Sequence, residues 1–478
     1  MRKGDEPMKH YEDFINGIQE DVEVSMRVQA RIEETLSNLP ENETNYKKKS
    51  GRSEQRSWMS TAAAAILVIM VLSGCAVAGE YLAATRVHVL VTGSPDTGNI
   101  LWGELMDFEK VYEEEHPDID IVVTLLSDKK NDQTEARMKK MRTEIMAGDG
   151  YDLYFMTGRP PYDYNRSYLF PNANKAMQSG VFASLDKYMK KDERWEEMEL
   201  IETAMEAGTY QGKQYIIPLG INFQMFRQEK NNVVDYSKAK DLNECLQIAL
   251  NTEDINVIYD FTSMQSLSKG LLLEPAADYD TNQMLMEKEP FIDYVTYAQN
   301  ATYAVENPNE DLAFNRLGSG TASYLFHKGI DWTEGKEEKP ALDFQSVPGI
   351  QGMKVGYVES YGAVGMNSTK KEAAYDFLIS FMNRERNPIY TYSVPVNLRH
   401  LKEALQFIGL EEVEEEEFLE CCNNLDQVVF LSEGSSLTNE KLAHYLSGYA
   451  PRPESNFEET VSKIYDEVYQ TYETILKE

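Results

Sequence analysis

The 478-residue chain contains only four cysteines and six histidines. The cysteines are Cys75, Cys245, Cys421 and Cys422; none has the spacing of metal ligands, and two of them are adjacent, so no disulfide framework can be read. The histidines form no ligand cluster, and the motifs of serine hydrolases, zinc proteases and P-loop nucleotide-binding proteins are absent. We therefore expect no catalytic residues, no metal site and no cofactor.

Basic residues are scarce relative to acidic ones, with 47 Lys and Arg against 80 Asp and Glu and a formal net charge of -33. A nucleic-acid backbone needs a basic surface, so this charge argues against a nucleic-acid partner. An acidic surface is typical of a soluble domain. With 42% hydrophobic residues, the chain can bury a large core, and its length favours two lobes.

Charge is missing altogether from residues 57–79, SWMSTAAAAILVIMVLSGCAVAG. About twenty apolar residues rising ~1.5 Å each can cross a hydrocarbon layer of ~30 Å, so the run predicts a transmembrane helix. Lys and Arg cluster between positions 47 and 56, whereas Glu80 follows the run. By the positive-inside rule, residues 1–56 are cytoplasmic, and the large domain at 85–478 is extracellular and attached to the cell membrane.

The same run supports a second interpretation. Leu72-Ser73-Gly74-Cys75 resembles the lipobox of a bacterial lipoprotein, in which Cys75 would be lipidated and become the mature N-terminus. Such a signal usually lies within roughly the first 15 to 30 residues, and here a long polar segment precedes it. Both alternatives, a single-pass helix and a lipid anchor, leave the same domain outside the cell.

The segment at 11–39 predicts two short cytoplasmic helices. Val28, Ile32, Leu36 and Leu39 form an apolar stripe at helical spacing. The segment is too short to form a core alone, so the stripe predicts a cytoplasmic protein partner, a second copy or the membrane surface. Its sequence, YEDFINGIQEDVEVSMRVQARIEETL, resembles the cytoplasmic stretch of membrane-anchored anti-sigma-like proteins, without zinc ligands. Residues 40–56 read as a flexible linker.

The exported part begins with alternating strands and helices. Apolar patterns predict strands at 87–91, 119–125 and 152–156, one helix from Ile100 to about 115, and a second that ends at Gly148. Such alternation indicates an α/β fold with parallel strands and helices on both faces. Ligands bind at the carboxyl ends of such strands, which points to loops 92–98 and 157–163 and therefore to Thr157 and Arg159.

Several segments, in this order, resemble the extracellular solute-binding proteins of sugar-type ABC importers. They include FEKVYEEEHPDIDIVV, TEIMAGDGYDLYF, YQGKQYIIPLGINFQMF, FNRLGSGTASYLFHKGIDW and ESYGAVGMNSTKKEAAYDFLISFMN. The resemblance implies a two-lobed periplasmic-binding-protein-like fold of type II over 85–478, which closes on a ligand. It also implies binding rather than catalysis, and a permease of the ABC transporter as partner.

The resemblance places a crossover strand near 214–222, with Asn222 and Phe223 facing the cleft. The resemblance also implies that the ligand is a sugar or oligosaccharide, and sugar recognition needs flat apolar rings and hydrogen-bonding amide and carboxylate groups. The C-terminal half offers such groups, and we expect further ligand contacts from Trp332, Tyr357, Glu359, Tyr361 and Arg399.

Two further expectations concern the C-terminal region. The acidic run at 411–417 predicts an exposed stretch bordering a helix at 418–425, and residues 457–476 predict an amphipathic helix that packs on a lobe. Two functions fit the whole chain. The favoured one is capture of a solute for import, and the alternative is a transmembrane sensor that regulates a cytoplasmic partner such as a sigma factor.

Overall fold

The structure is a computed structural model, and it describes residues 86–93, 100–160, 166–230, 233–252, 254, 257–258, 270–304, 319–326, 341–385, 393–443, 446 and 456–477. The predicted span at 57–79 with Cys75, the predicted helices at 11–39, and Trp332 lie outside these residues. Within the described ranges, no helix combines the length and the apolar character needed to cross a membrane.

The strands form one large mixed sheet and two small hairpins. They are β1 Arg86–Gly93, β2 Asp120–Ser127, β3 Leu153–Thr157, β4 Thr209–Tyr210, β5 Lys213–Gln214, β6 Ile216–Glu229, β7 Ala277–Asp278, β8 Gln283–Met284, β9 Ser319–Thr321, β10 Leu342–Ser346, β11 Val355–Val364, β12 Val394–Pro395 and β13 Gln427–Val429. The large sheet has the order β10-β6-β11-β3-β1-β2, while β9 and β12 pair with β6, and β13 pairs with β11.

Helices connect and flank these strands. They are α1 Ile100–Glu115, α2 Asp132–Ala147, α3 Ala173–Gln178, α4 Asp186–Met189, α5 Glu193–Glu197, α6 Glu202–Ala207, α7 Leu242–Asn251, α8 Lys288–Ala304, α9 Lys371–Asn383, α10 Leu398–Phe407, α11 Glu412–Asn423, α12 Glu433–Ala443 and α13 Phe457–Lys477, with a 3-10 turn at Ala322–Phe326.

The predicted strand and helix alternation is confirmed between β1 and β3. Asn131 caps the start of α2 by accepting a hydrogen bond from the Thr134 backbone N–H, and Gly148 ends the helix in the left-handed conformation at φ 102°. Strands β1 and β3 pair in parallel, with Val89 opposite Leu153. The sheet is not parallel throughout, because β11 runs antiparallel to both β3 and β6.

The C-terminal predictions have different outcomes. The amphipathic helix is confirmed as α13, which buries Val461 and Val468. The acidic run is exposed at 411–413 and at 416, as predicted, but it belongs to α11, which already begins at Glu412 and buries Glu414 to 2% exposure. The Glu414 carboxylate accepts hydrogen bonds from the backbone N–H groups of Glu411 and Leu342, at 2.9 and 2.8 Å, and these bonds offset the cost of its burial.

The chain divides into two compact units. Among the described residues, the first comprises 86–88 and Glu109–Val123, and the second comprises the remainder. In the first unit, Arg86 pairs with Asp120 at 2.8 Å. In the second, a buried apolar cluster joins side chains of α7, α8 and α13, among them Leu246, Phe291 and Val461. The candidate site lies in the second unit.

Candidate functional site

The loop after β3 is held against β11 at the carboxyl end of the strand. Gly158 donates a backbone hydrogen bond to the Glu359 carbonyl oxygen at 2.7 Å. A Cβ atom at position 158 would lie 2.0 Å from the carbonyl oxygen of Val358. The two backbones can therefore approach this closely only because residue 158 is glycine. The approach brings Thr157 and Arg159 beside Glu359.

Two bulges interrupt the pairing of β6 and β11 next to this loop. Val358 lies opposite Ile221 and Ser360 lies opposite Gly220, so Glu359 is an extra residue in β11. The next pair is Tyr361 with Pro218, so Leu219 is an extra residue in β6. Bulges redirect side chains and are common beside binding sites. Here the bulge in β11 gives Glu359 surroundings that differ from those of its neighbours in the strand.

A buried amide lies beside Glu359. Asn222 is 2% exposed and donates from Nδ2 to Ser323 Oγ at 2.5 Å and to Glu359 Oε2 at 3.3 Å. Its Oδ1 accepts hydrogen bonds from the backbone N–H groups of Phe223 and Ser323, at 3.1 and 3.0 Å. The amide is therefore fixed by four contacts, and it orients one oxygen of the Glu359 carboxyl group.

Glu359 is half-buried, and its ionisation is perturbed. Burial raises the pKa of Glu359 to about 7, although the hydrogen bond from Asn222 and the positive charge of Arg166 both lower it. Near neutral pH this carboxyl group can therefore accept hydrogen bonds as a carboxylate or donate one as an acid. Sugar hydroxyls both donate and accept, so either form can bind them.

Two arginines border the same region. The backbone of Arg166 forms an isolated antiparallel β-bridge with that of Lys129. The Arg166 side chain is ion-paired with the buried Asp128, with 3.7 Å between Nη1 and Oδ2. Arg159 donates from Nη1 to Ser436 Oγ at 3.1 Å, and its guanidinium carbon lies 4.2 Å from the centre of the Tyr168 ring. The Nε atom of Arg159 is buried and has no hydrogen-bond partner among the described residues.

A cavity of about 520 Å³ adjoins these arginines, a volume that suits a small saccharide. It is lined by Lys130, Asp132, Glu135, Ala136, Met138, Lys139, Arg142, Arg159, Arg166, Ser167, Tyr168, Pro171 and Glu433. A second, more apolar cavity of about 340 Å³ includes Gly150, Tyr151 and Tyr154 in its lining. Gly150 and Tyr151 precede β3, so the second cavity lies at the amino end of that strand. The larger cavity is the better candidate, because ligands of open α/β sheets bind at the carboxyl ends.

The structure brings together four of the residues selected from the sequence, namely Thr157, Arg159, Asn222 and Glu359. Thr157 is the last residue of β3, and its backbone N–H donates to Thr92 Oγ1 at 3.0 Å. Arg159 follows Gly158, whose backbone N–H donates to the carbonyl oxygen of Glu359, the bulged residue of β11.

The other selected residues lie elsewhere. Phe223 is fully buried and packs 6.2 Å from the ring of Phe418, and Tyr357 is fully buried in a cluster with Leu431. Tyr361 is 3% exposed and packs edge-on against Phe430 at 5.3 Å. Arg399 is exposed in the first turn of α10, and its Nη2 donates to the carbonyl oxygen of Asn383 at 2.7 Å. Trp332 lies outside the described residues.

Sequence reasoning missed Asp128, Arg166, Ser323 and Ser436. Asp128 directly follows β2, so the rule that selected Thr157 after β3 could also have selected it. The other three reach the site through contacts between distant segments, and no local pattern marks them. Within the part of the chain that the structure describes, no group of three His, Cys, Asp or Glu side chains is arranged to hold a metal ion.

Comparison with solved structures identifies the fold. The sugar-binding protein MalE from Xanthomonas citri is 12% identical and matches 82% of this chain and 98% of its own, with a TM-score of 0.53. A family 1 extracellular solute-binding protein from Alicyclobacillus acidocaldarius is 12% identical, covers 81% and 98%, and has a TM-score of 0.51. An uncharacterised protein from Listeria monocytogenes is 14% identical, covers 82% and 100%, and has a TM-score of 0.51.

No protein-family model matches the chain, and no curated protein matches it. The likeness is therefore one of fold, at low sequence identity. The described part of this chain has the mixed α/β fold of the extracellular sugar-binding and solute-binding proteins.

Proposed function

We propose that this protein captures a carbohydrate-like small molecule outside the cell and delivers it to the permease of an ABC importer. The observation that carries the proposal is the fixed polar group of Asn222, Ser323 and Glu359. This group lies beside the end of β3, and the chain shares its fold with solute-binding proteins. One of the structural neighbours is named as a sugar-binding protein, which agrees with this ligand class.

The proposed ligand contacts come from side chains that can still form hydrogen bonds. Glu359 would bind one or two hydroxyl groups, oriented by Asn222, and Arg159 would donate from its remaining N–H groups. Thr157 lies beside them at the strand end. We place Phe223, Tyr357, Tyr361 and Arg399 outside the proposed contact set, because the first three are buried in apolar surroundings and the last is bonded to the end of α9.

Capture would involve closure of two lobes within 85–478. Strands β6 and β11 would provide the connection, since both carry bulges near the polar group. The ligand would favour the closed state by the additional contacts that it makes there.

The domain would be attached to the outer face of the cell membrane by residues 57–79, either as an uncleaved helix or through lipidated Cys75. The apolar run, the basic residues before it and the lipobox-like sequence support this part of the proposal. Measuring the mass of the mature N-terminus in its native host distinguishes the two anchors, because lipidation would remove residues 1–74.

The alternative function is a sensor, in which ligand binding outside is reported to a partner of residues 11–39, such as a sigma factor. The apolar stripe at 28–39 and the long polar segment before the apolar run at 57–79 favour the sensor function. A chain that begins at lipidated Cys75 would rule out this function, since the cytoplasmic helices would be lost.

A thermal-shift screen of the full chain against neutral and acidic saccharides tests capture. A ligand at 100 times its Kd adds about 2.7 kcal/mol to the free energy of unfolding. We expect at least one saccharide to raise the Tm of the wild type, and we expect Glu359→Ala to reduce that response. If no saccharide in a broad panel changes the Tm, the capture proposal fails.

A further inference from the structure

The larger cavity concentrates positive charge in a strongly acidic protein. Its lining includes five basic side chains, Lys130, Lys139, Arg142, Arg159 and Arg166, and three acidic ones, Asp132, Glu135 and Glu433. The chain as a whole has 47 basic and 80 acidic residues. A basic cavity therefore runs against the composition of the molecule, and the local potential attracts anions.

Two of the three arginines of this cavity contact neutral groups. Arg142 donates to the carbonyl oxygens of Tyr168 and Leu169 at 3.0 and 3.3 Å, while Arg159 contacts the Ser436 hydroxyl and the face of Tyr168. Arg166 differs from these two, because its Nη1 is ion-paired with Oδ2 of the buried Asp128 across 3.7 Å. Like charges close together repel, and an anion between them would offset that repulsion.

The basic and acidic groups differ in exposure. All three arginines are half-buried, whereas Asp132, Glu135 and Glu433 are exposed. Water and salt screen exposed charges strongly and half-buried ones less. The half-buried arginines therefore contribute more to the field inside the cavity than its exposed acidic side chains do, although the buried Asp128 offsets part of the charge of Arg166.

We propose, on the basis of the function proposed above, that the captured saccharide carries a carboxylate or sulfate group, and that Arg159 and Arg166 bind this group in the larger cavity. Guanidinium groups bind carboxylates and sulfates through paired hydrogen bonds, and Nε of Arg159, which is buried and has no hydrogen-bond partner among the described residues, could join such a pair once the side chain turns towards the ligand. Arg142 is a positioning residue, because its guanidinium holds the backbone at 168–169. Glu359 and Thr157 do not line this cavity but adjoin Arg159 through Gly158, so the hydroxyl groups of the same ligand would extend from the cavity towards them.

Matched pairs of saccharides test the charge directly. Isothermal titration of the full chain would compare trigalacturonic acid with its methyl ester, and a sulfated chondroitin disaccharide with its unsulfated counterpart. We expect the charged member of at least one pair to bind about tenfold or more tightly, with an affinity that falls between 50 and 300 mM salt. The pair that shows the difference distinguishes carboxylate from sulfate.

Charge variants locate the binding group. Arg159→Gln and Arg166→Gln should each remove most of the preference for the charged member, and Arg159→Lys should retain part of it. Lys140→Gln is the control, because Lys140 lies on α2, which supplies several residues of the cavity lining, but is itself exposed and paired with Glu144. Circular dichroism and the Tm of each variant check that it folds, and inorganic sulfate should raise the Tm of the wild type more than that of Arg159→Gln.

The outcomes separate this inference from the function on which it rests. If neutral saccharides bind as tightly as charged ones, the proposal of an anionic ligand is wrong, while the proposed capture function stands. If charged saccharides are preferred but the arginine variants keep that preference, the assignment to this cavity is wrong. If no saccharide of either kind binds, both the inference and the proposed function fail.

Discussion

Asn222 on β6 donates a hydrogen bond to Oε2 of Glu359 on β11, with 3.3 Å between the two atoms. The contact joins two neighbouring strands close to the bulges that interrupt their pairing. It fixes the orientation of a carboxyl group whose pKa is about 7, beside the carboxyl end of β3.

The first prediction concerns the buried amide. Asn222→Ala removes the acceptor for two backbone N–H groups, and unsatisfied buried groups cost about 1 to 3 kcal/mol each. We expect the free energy of unfolding to fall by about 2 to 4 kcal/mol. Urea denaturation of both proteins measures this change. As a control, Asn423→Ala at the exposed end of α11 should change the stability by less than about 0.5 kcal/mol.

The second prediction concerns the pH dependence of stability. The folded protein holds the proton of Glu359 up to a pKa of about 7, whereas the unfolded chain releases it near the ordinary value of 4.5. The stabilising effect of the protonated form is therefore complete below pH 4.5 and is lost as the pH rises towards 7. Relative to Glu359→Gln, the wild type should lose up to about 3 kcal/mol over this range.

Other carboxyl groups with a raised pKa, such as that of the half-buried Glu109, titrate in both proteins and cancel in the comparison. Denaturation curves at half-unit pH intervals give the difference between the wild type and Glu359→Gln. A constant difference from pH 4.5 to 7.5 would show that the Glu359 pKa is not raised.

The third prediction concerns the close approach at Gly158. Gly158→Ala would place a Cβ atom 2.0 Å from a backbone oxygen, so the loop after β3 must move away from β11. We expect a loss of about 1 to 3 kcal/mol in stability and weaker ligand binding. Gly103 in α1 provides the contrast, because a Cβ there meets no atom within 4 Å. Gly103→Ala should stabilise the protein by about 0.5 to 1 kcal/mol.

The fourth prediction concerns a buried carboxyl group near α12. Glu274 is 5% exposed and accepts hydrogen bonds from Tyr472 Oη at 2.5 Å and Ser435 Oγ at 2.6 Å. Tyr472→Phe removes one donor, so we expect thermal or urea denaturation to show a loss of about 1 to 3 kcal/mol. Tyr469→Phe on the same helix is the matched control. Equal losses of stability from the two substitutions would show that the hydrogen bond from Tyr472 to Glu274 makes no contribution of its own to the free energy of unfolding.

Local patterns predicted the elements around the site well. The helices α1 and α2 and the glycine that ends α2 follow from apolar spacing and from a cap residue, which are properties of neighbouring positions. Thr157 and Arg159 follow from the rule for strand ends. The helix predictions succeed because each depends on a short stretch of sequence, whereas the assignment of Thr157 and Arg159 to the site stays a prediction.

The contacts of β11 could not be predicted in this way. Residues 357, 359 and 361 alternate, which suggests one shared face, yet Tyr357 and Tyr361 are buried in apolar surroundings while Glu359 joins Asn222. The bulge at Glu359 depends on pairing with a strand about 140 positions earlier. Arg166, Ser323 and Ser436 likewise enter the site through long-range contacts.

A crystal structure of the protein with a saccharide from the thermal-shift screen tests the central claim most directly. The account predicts ligand density within hydrogen-bonding distance of the Glu359 carboxyl group and the Arg159 guanidinium. Density in the smaller cavity beside Tyr151 and Tyr154, with none near Glu359, would contradict it.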